Sequence, residues 1–96
     1  MTRITSTQNQ QIKQIRALRL RKVREERGQF LIEGQLALQA ALMHGAQIEL
    51  LIVAPELGGR LPTPMALPIL EVSAEVFASI SQKATSRGVA AVVRQY

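Results

Sequence analysis

The chain has 96 residues, of which 47% are hydrophobic and 20% charged, with no cysteine and a formal net charge of +5. This length and composition favour one folded domain with an aliphatic core and argue against intrinsic disorder. Disulfides and thiolate metal sites are excluded, and no apolar run reaches the ~20 residues of a transmembrane helix, so we expect a soluble, cytoplasmic protein without a membrane partner.

The positive charge is concentrated in the first quarter of the chain. Residues 1–27 contain eight Lys and Arg against two Glu, a net +6, whereas residues 28–96 contain four against five, a net −1. Clustered cations raise the local potential and release counterions when they bind a polyanion. A nucleic acid is therefore the leading partner. An acidic membrane surface is the weaker alternative, because this segment lacks the broad apolar face of an interfacial helix.

The first predicted element is a basic helix that begins near Thr7. Thr7 as N-cap and Gln10 three residues later match a capping box. The buried side of this helix is marked by Ile12, Ile15 and Leu18. One straight helix to the end of the basic segment would place Arg19 on that apolar side. We therefore predict a break between Leu18 and Arg21, with two short helices that bracket a basic surface.

Apolar runs and helical patterns alternate along the next part of the chain. After Gly28, residues 30–32 (FLI) form a short apolar run that predicts a strand buried on both faces. Residues 35–44 are rich in Ala and Leu and predict a helix, which Gly45 would end. Its apolar residues at helical spacing are Leu36, Ala40 and Met43. Residues 48–54 (IELLIVA) predict a second strand.

The last third of the chain begins with a segment that breaks regular structure. Residues 55–68 contain four prolines and two glycines, which predicts an ordered loop with at most one helical turn. Residues 69–72 predict a third strand, Ser73 is the expected N-cap of a helix that ends near Ser81, and residues 89–93 predict a fourth strand. The fold class is α/β, with a mostly parallel or mixed four-stranded sheet between helices.

The residues in this order resemble a known family of RNA-modifying enzymes. The resemblance lies in residues 4–6 (ITS), the basic helices, residues 30–34 (FLIEG), residues 50–53 (LLIV), residues 71–73 (EVS) and residues 88–92 (GVAAV). Together they are similar to the N-terminal substrate-binding domain of SpoU-class RNA 2′-O-ribose methyltransferases of the SPOUT superfamily. The resemblance implies a three-layer α/β/α sandwich like that of ribosomal proteins that bind kinked RNA. It also implies structured RNA as the partner, with rRNA favoured over tRNA.

The resemblance further implies a division of labour between two domains. In that family a C-terminal knotted catalytic domain binds S-adenosylmethionine, and it begins just beyond a segment like residues 89–96. We therefore expect residues 1–96 to be an RNA substrate-binding domain that has no catalytic, cofactor or metal site of its own. The chain departs from the family in residues 86–88 (SRG), where an amide and often a proline are usual. It also departs in residues 55–68, where relatives commonly have a helix.

The candidate RNA-binding residues are Asn9, Lys13, Arg16, Arg21, Lys22, Arg24, Glu33 and Arg87. We expect the cations to lie on the surface and to contact phosphates, the alternative being a solvated helical face. Asn9 either contacts a base or ribose or satisfies backbone donors at the helix start. Glu33 follows a buried strand, where α/β proteins often bind ligands. Its plainer role is to interact with the next helix N-terminus or with an arginine. Gly88, after Arg87, either lets the backbone approach RNA or supplies the positive φ of a turn.

Signatures of other functions do not occur in the sequence. There is no phosphate-binding loop, no paired histidine for zinc and no nucleophile with an evident base, and His44 has no catalytic partner at a recognisable spacing. Three aromatic residues cannot form a base-stacking platform, which leaves recognition by backbone charge and RNA shape. The alternatives are a stand-alone RNA-binding protein of ribosomal type and a module that dimerises through an apolar sheet edge.

Overall fold

The computed structural model describes residues 3–61, 66–83 and 86–95. Within these residues the elements are, in chain order, α1 (Gln10–Arg16), the 3₁₀ helix η1 (Ala17–Arg19), α2 (Arg21–Arg27), β1 (Gln29–Glu33), α3 (Gln35–Met43), β2 (Ile48–Val53), the 3₁₀ helix η2 (Pro55–Leu57), β3 (Ile69–Glu71), α4 (Ala74–Ile80) and β4 (Val89–Arg94). None of the described helices is long and apolar enough to cross a membrane.

The four strands form one mixed sheet in the order β1-β4-β2-β3. Strand β4 runs antiparallel to both β1 and β2, and only β2 and β3 are parallel neighbours. The predicted fold class, with its mostly parallel or mixed sheet, is therefore confirmed in its mixed form, and two of the three strand pairs are antiparallel. The reason lies in α4, whose seven residues span only about 10 Å. Helix α4 begins beyond the carboxyl end of β3. Shortly after it ends, Gln82 contacts Glu33 at the carboxyl end of β1, so α4 stays near the carboxyl ends of these strands. Strand β4 therefore starts at the carboxyl ends of β1 and β2 and must run antiparallel to both.

Helices cover both faces of the sheet, which makes the predicted three-layer sandwich. On one face, α1, η1 and α4 supply the core residues Ile12, Ile15, Leu18, Val76, Phe77 and Ile80, which pack on Ile52, Val72, Ala90 and Val92. On the other face, Leu38 of α3 packs on Ile48, Leu51, Val89, Ala91 and Val93. Leu61 and Leu67 of the proline-rich segment pack beside this second core. The loop therefore contributes to covering this face of the sheet.

Helix α3 turns a different side to the sheet from the one that its regular spacing suggested. Leu36 and Met43 are 82% and 84% exposed, whereas Leu38 is 1% exposed. The helix consists only of Gln, Leu, Ala and Met, so both of its sides are similarly apolar. Nothing in such a composition marks the solvent side, and the position of the sheet selects Leu38 for burial.

The N-terminal helices are broken where predicted, but α1 has a different cap. η1 follows α1 directly, and Leu20, in an extended conformation, separates η1 from α2. Thr7 is not the N-cap: the Asn9 side chain accepts hydrogen bonds from the backbone N–H groups of Gln11 and Ile12, at 2.9 and 3.2 Å. Asn at this position is an equally good cap, and it starts the helix at Gln10.

The strand predicted at residues 30–32 is confirmed, but its burial on both faces is wrong, since β1 is an edge strand and Phe30, Leu31 and Ile32 are half-buried. The cap of α4 and the irregular loop are confirmed within the described residues. Ser73 caps α4 by accepting a hydrogen bond from the backbone N–H of Val76 at 3.2 Å. The predicted loop 55–68 contains one 3₁₀ turn at its start, and its residues 62–65 lie outside the described part of the chain.

Candidate nucleic-acid interface

Arg16 is fixed between α1 and α4, and it is half-buried rather than free on the surface. Its Nη2 donates to the carbonyl oxygen of Thr7 at 2.8 Å and to Oγ of Ser79 at 3.0 Å, and its Nε donates to the Ser79 carbonyl at 3.3 Å. The same Ser79 carbonyl accepts a hydrogen bond from Nη2 of Arg19 at 3.1 Å. Two arginines from α1 and η1 therefore hold the last turn of α4.

Arg24 and Arg27 reach back from α2 to the ends of the two preceding helices. Nη1 of Arg24 donates to the carbonyl oxygens of Leu18 and Arg19, at 3.0 and 2.8 Å. Nη1 of Arg27 donates to the carbonyl of Gln14 at 2.7 Å. Helix ends leave carbonyl groups without intrahelical partners, and cationic side chains satisfy them well. The break between the helices is thus held by the basic residues themselves.

Backbone carbonyls fix these guanidinium groups without neutralising them. Among the described residues, no carboxylate lies within 4 Å of Arg16, Arg19 or Arg24. A guanidinium group carries five N–H donors, and Nη1 of Arg16 and the Nε and Nη2 groups of Arg24 have no hydrogen-bond partner in the described structure. The charges are therefore held in place with donors to spare, an arrangement that suits phosphate oxygens.

The other predicted cations of the segment are held more loosely. Lys13 and Lys22 are exposed, and neither makes a side-chain hydrogen bond or ion pair within residues 3–61, 66–83 and 86–95. Nε of Arg21 lies 2.9 Å from Oε1 of Glu25, in an ion pair whose side chains are 84% and 62% exposed. Water screens such a pair strongly. The basic surface thus combines fixed arginines with the freely solvated Lys13 and Lys22 and with Arg21 in its exposed ion pair.

Glu33 lies at the end of β1, close to the end of α4, and is buried with 7% exposure. The Ser81 hydroxyl donates to its Oε1 at 2.5 Å, and the backbone N–H of Gln82 donates to its Oε2 at 2.8 Å. The hydrogen bonds expected with the α3 N-terminus or with an arginine are not the ones formed. Both carboxylate oxygens instead tie the end of β1 to the end of α4, and a contact of Glu33 with RNA remains a prediction.

Arg87 lies on a tight turn just before β4, at the end of the sheet where β1 finishes. It is exposed with φ +53°, and Gly88 follows with φ +77°. A Cβ on Gly88 would lie 2.6 Å from the Ala54 carbonyl oxygen, and a Cβ on Gly59 would lie 2.2 Å from the Gly88 carbonyl oxygen. Gly88 therefore supplies the positive φ and also a close approach to the protein's own backbone. The part played by Gly59 was not predicted, since a glycine in a loop gives no sign of what packs on it.

The turn of Arg87 lines a cleft together with the start of α3. The cleft is bordered by Glu33, Gly34, Gln35, Leu36, Ala37, Gly58, Lys83, Ser86 and Arg87. The fold thus brings Arg87 and Glu33 to one cleft, whereas Arg16, Arg19 and Arg24 line a different depression of the surface. Lys83 was missed in the sequence because it is a lone cation, which signals nothing until the turn places it beside Arg87.

Other chemistry is not indicated by the described part of the chain. Within it, no group of three or more His, Cys, Asp or Glu side chains could hold a metal ion. His44 is exposed and is the C-cap residue of α3, as its position at the helix end suggested.

Comparison with known proteins identifies relatives over almost the whole chain. The MRM3-like substrate binding domain family matches residues 9–91. A crystal structure of an RNA 2′-O ribose methyltransferase is 35% identical, with a TM-score of 0.85 over 99% of this chain and 38% of its own. An rRNA methyltransferase from Sinorhizobium meliloti is 27% identical, with a TM-score of 0.77 over 99% of this chain and 37% of its own.

A third structure shares the fold at lower identity. The SpoU methyltransferase AviRb from Streptomyces viridochromogenes is 20% identical, with a TM-score of 0.77 over 93% of this chain and 36% of its own. No curated protein shows a significant match. The chain therefore spans less than two fifths of the length of these solved structures.

Proposed function

Because this chain belongs to the MRM3-like substrate-binding domains of SpoU-type RNA methyltransferases, we propose that it docks structured RNA through its basic N-terminal helices. We favour rRNA over tRNA, since one similar structure is an rRNA methyltransferase. In this proposal a catalytic domain of the parent protein transfers the methyl group to a ribose 2′-hydroxyl.

The observation that carries the proposal is the fixed but unneutralised arginine cluster. Arg16, Arg19 and Arg24 use some of their N–H groups on backbone carbonyls, and no described acid pairs with them. Guanidinium groups held in advance lose little side-chain entropy when they bind phosphate. The exposed Lys13 and Lys22 add charge that steers a polyanion toward the cluster. Phosphate contacts of this kind position an RNA without reading its sequence.

In this proposal S-adenosylmethionine binds to the catalytic domain of the parent enzyme and not to this chain. The S. meliloti rRNA methyltransferase has been seen with AdoMet bound, and this chain corresponds to 37% of that protein. We expect calorimetric titration of the 96-residue chain with S-adenosylmethionine to give no saturable heat. A site of micromolar affinity in this chain would contradict the assignment of cofactor binding to another domain.

The docking surface is tested by a charge-matched pair of triple variants. Lys13→Gln, Arg21→Gln and Lys22→Gln together remove three exposed cations of the basic helices, and Arg3→Gln, Arg60→Gln and Arg94→Gln remove three from elsewhere. Binding to fragments of large-subunit rRNA is measured by fluorescence anisotropy across a salt series. With four or five phosphate contacts, the parent chain should show a log–log salt slope of about −3 to −4, at about −0.7 per contact.

The first triple variant should bind at least about tenfold more weakly than the second, because it loses charge that steers RNA toward the arginine cluster, and its slope should be flatter by about 0.7 for each removed cation that contacts a phosphate. Equal loss in both variants would mean that only net charge matters, and the docking surface would then be wrong. Crosslinking the parent chain to total cellular RNA, followed by sequencing, decides between rRNA and tRNA as the bound class.

A further inference from the structure

Three surface depressions of the molecule share lining residues and therefore adjoin one another, and we refer to the three together as the groove. The first lies in the N-terminal cluster and is lined in part by Arg16, Arg19, Arg24 and Gln82. The second is lined in part by Gln82, Lys83, Ser86 and Arg87. The third is the cleft at the start of α3, which Lys83, Ser86 and Arg87 also line. The groove thus passes around the C-terminal end of α4 and joins two regions that the sequence keeps about 60 residues apart.

The groove is strongly cationic along its whole course. Its lining residues include five cations, namely Arg16, Arg19, Arg24, Lys83 and Arg87. The one acidic residue among them, Glu33, is buried, and both of its oxygens already accept hydrogen bonds. An anion in the groove therefore meets five positive charges and no exposed carboxylate from the groove's own lining.

The end of α4 holds both halves of the groove in a fixed relation. The carbonyl and hydroxyl of Ser79 anchor Arg16, and the carbonyl also anchors Arg19. Three residues later, the backbone N–H of Gln82 binds Glu33 at the end of β1. Because one short stretch of backbone makes both sets of contacts, the two charged halves cannot shift independently without breaking these bonds.

We propose that one RNA strand lies in this groove, with its backbone running from the N-terminal arginine cluster past Gln82 to Lys83 and Arg87 beside α3. This inference rests on the proposed function and extends it, since Lys83 and Gln82 become RNA contacts. A positively charged groove that tracks the backbone is the usual way to hold a nucleic-acid strand. Few aromatic side chains are needed for this, because the contacts are made to phosphates and sugars rather than to stacked bases.

The distal half of the groove is tested by a second charge-matched pair. Lys83→Gln with Arg87→Gln removes two cations from the groove, and Arg3→Gln with Arg94→Gln removes two that line none of its three parts. The groove variant should bind the selected rRNA fragment about tenfold more weakly than the control variant. Its log–log salt slope should be flatter by about 1.4, from two lost contacts. Equal affinity and equal slope in the two variants would overturn the proposal that RNA lies in this groove.

A crosslinking experiment tests the path itself. The chain has no cysteine, so Gln82→Cys creates a unique attachment point for a photo-crosslinker in the middle of the groove. We expect it to crosslink to bound RNA, and excess unlabelled RNA should compete the product away. Gln39→Cys, on the exposed side of α3, is the matched control and should give no product.

The two proposals fail in distinguishable ways. If the parent chain binds no structured RNA, the proposed function and the groove are both wrong. If the parent binds RNA and depends on Lys13, Arg21 and Lys22, while position 82 gives no more crosslink than position 39, only the groove is wrong.

Discussion

The N-terminal helical segment and helix α3 lie on opposite faces of the sheet. They differ in how clearly their sequences show which side of the helix is buried and which is exposed. Residues 10–27 carry seven Lys and Arg, whereas α3 carries no charged residue in nine. A charge is costly to remove from water, so the basic side could be recognised from the sequence alone. In α3 both sides are apolar or neutral, and only the packing of the helix on the sheet shows which side is buried. In the N-terminal segment the contrast between charged and apolar residues therefore marks the buried side, whereas α3 offers no such contrast.

The largest expected effect comes from the buried side of α3. Leu38→Ala should lower the free energy of unfolding by about 2–5 kcal/mol, because it leaves a cavity in the second core. Leu36→Ala, on the exposed side of the same helix, should change it by less than about 0.5 kcal/mol. Chemical denaturation of both variants measures the difference. Equal effects would show that α3 is rotated relative to this structure.

Within the basic segment, stability should separate the fixed cations from the free ones. Arg16→Gln and Arg24→Gln should each cost about 1–2 kcal/mol, because each breaks charge-assisted hydrogen bonds to backbone carbonyls. Lys13→Gln and Lys22→Gln should cost less than about 0.5 kcal/mol. Thermal unfolding of the four variants measures the difference. Similar melting temperatures for all four variants would show that the Arg16 and Arg24 side chains are solvated, as the sequence suggested, and that their hydrogen bonds add no stability.

A smaller effect tests where the basic segment begins. Asn9→Ala should cost about 1 kcal/mol, since it removes the acceptor for two backbone N–H groups of α1. Thr7→Ala should have almost no effect on stability, because the Thr7 side chain is not the cap and the backbone carbonyl of residue 7 can still accept the hydrogen bond from Arg16. Denaturation curves of the two variants compare the caps. A greater loss for Thr7→Ala than for Asn9→Ala would restore the predicted capping box.

The smallest expected effect concerns the exposed ion pair of α2. Glu25→Gln should change stability by no more than about 0.5 kcal/mol, because water screens an i,i+4 pair at this exposure. The same change frees Arg21 and removes one negative charge from the basic surface, so RNA affinity should rise about two- to threefold at low salt. Anisotropy titration checks this, and an affinity that falls would indicate that Glu25 itself contacts RNA.

The sequence determined the parts of this protein that local chemistry fixes. The break near Leu20, the Ser73 cap and the four strands follow from spacing, capping chemistry and apolar runs. The basic character of residues 1–27 and the family resemblance are also properties of the sequence itself. These features could be predicted because each depends on residues close together in the chain or on charges that must meet water.

The tertiary structure decided whatever depends on residues far apart in the chain. Whether β4 is parallel or antiparallel depends on the direction in which α4 crosses the sheet, which its own sequence does not encode. Ser79 becomes an anchor for Arg16 only because α4 packs against α1. Lys83 joins the same groove as Arg16 because the end of α4 lies between them. Hydrogen bonds and charges act over a few ångströms of space, so residues 60 or more positions apart acquire a common role only through the fold.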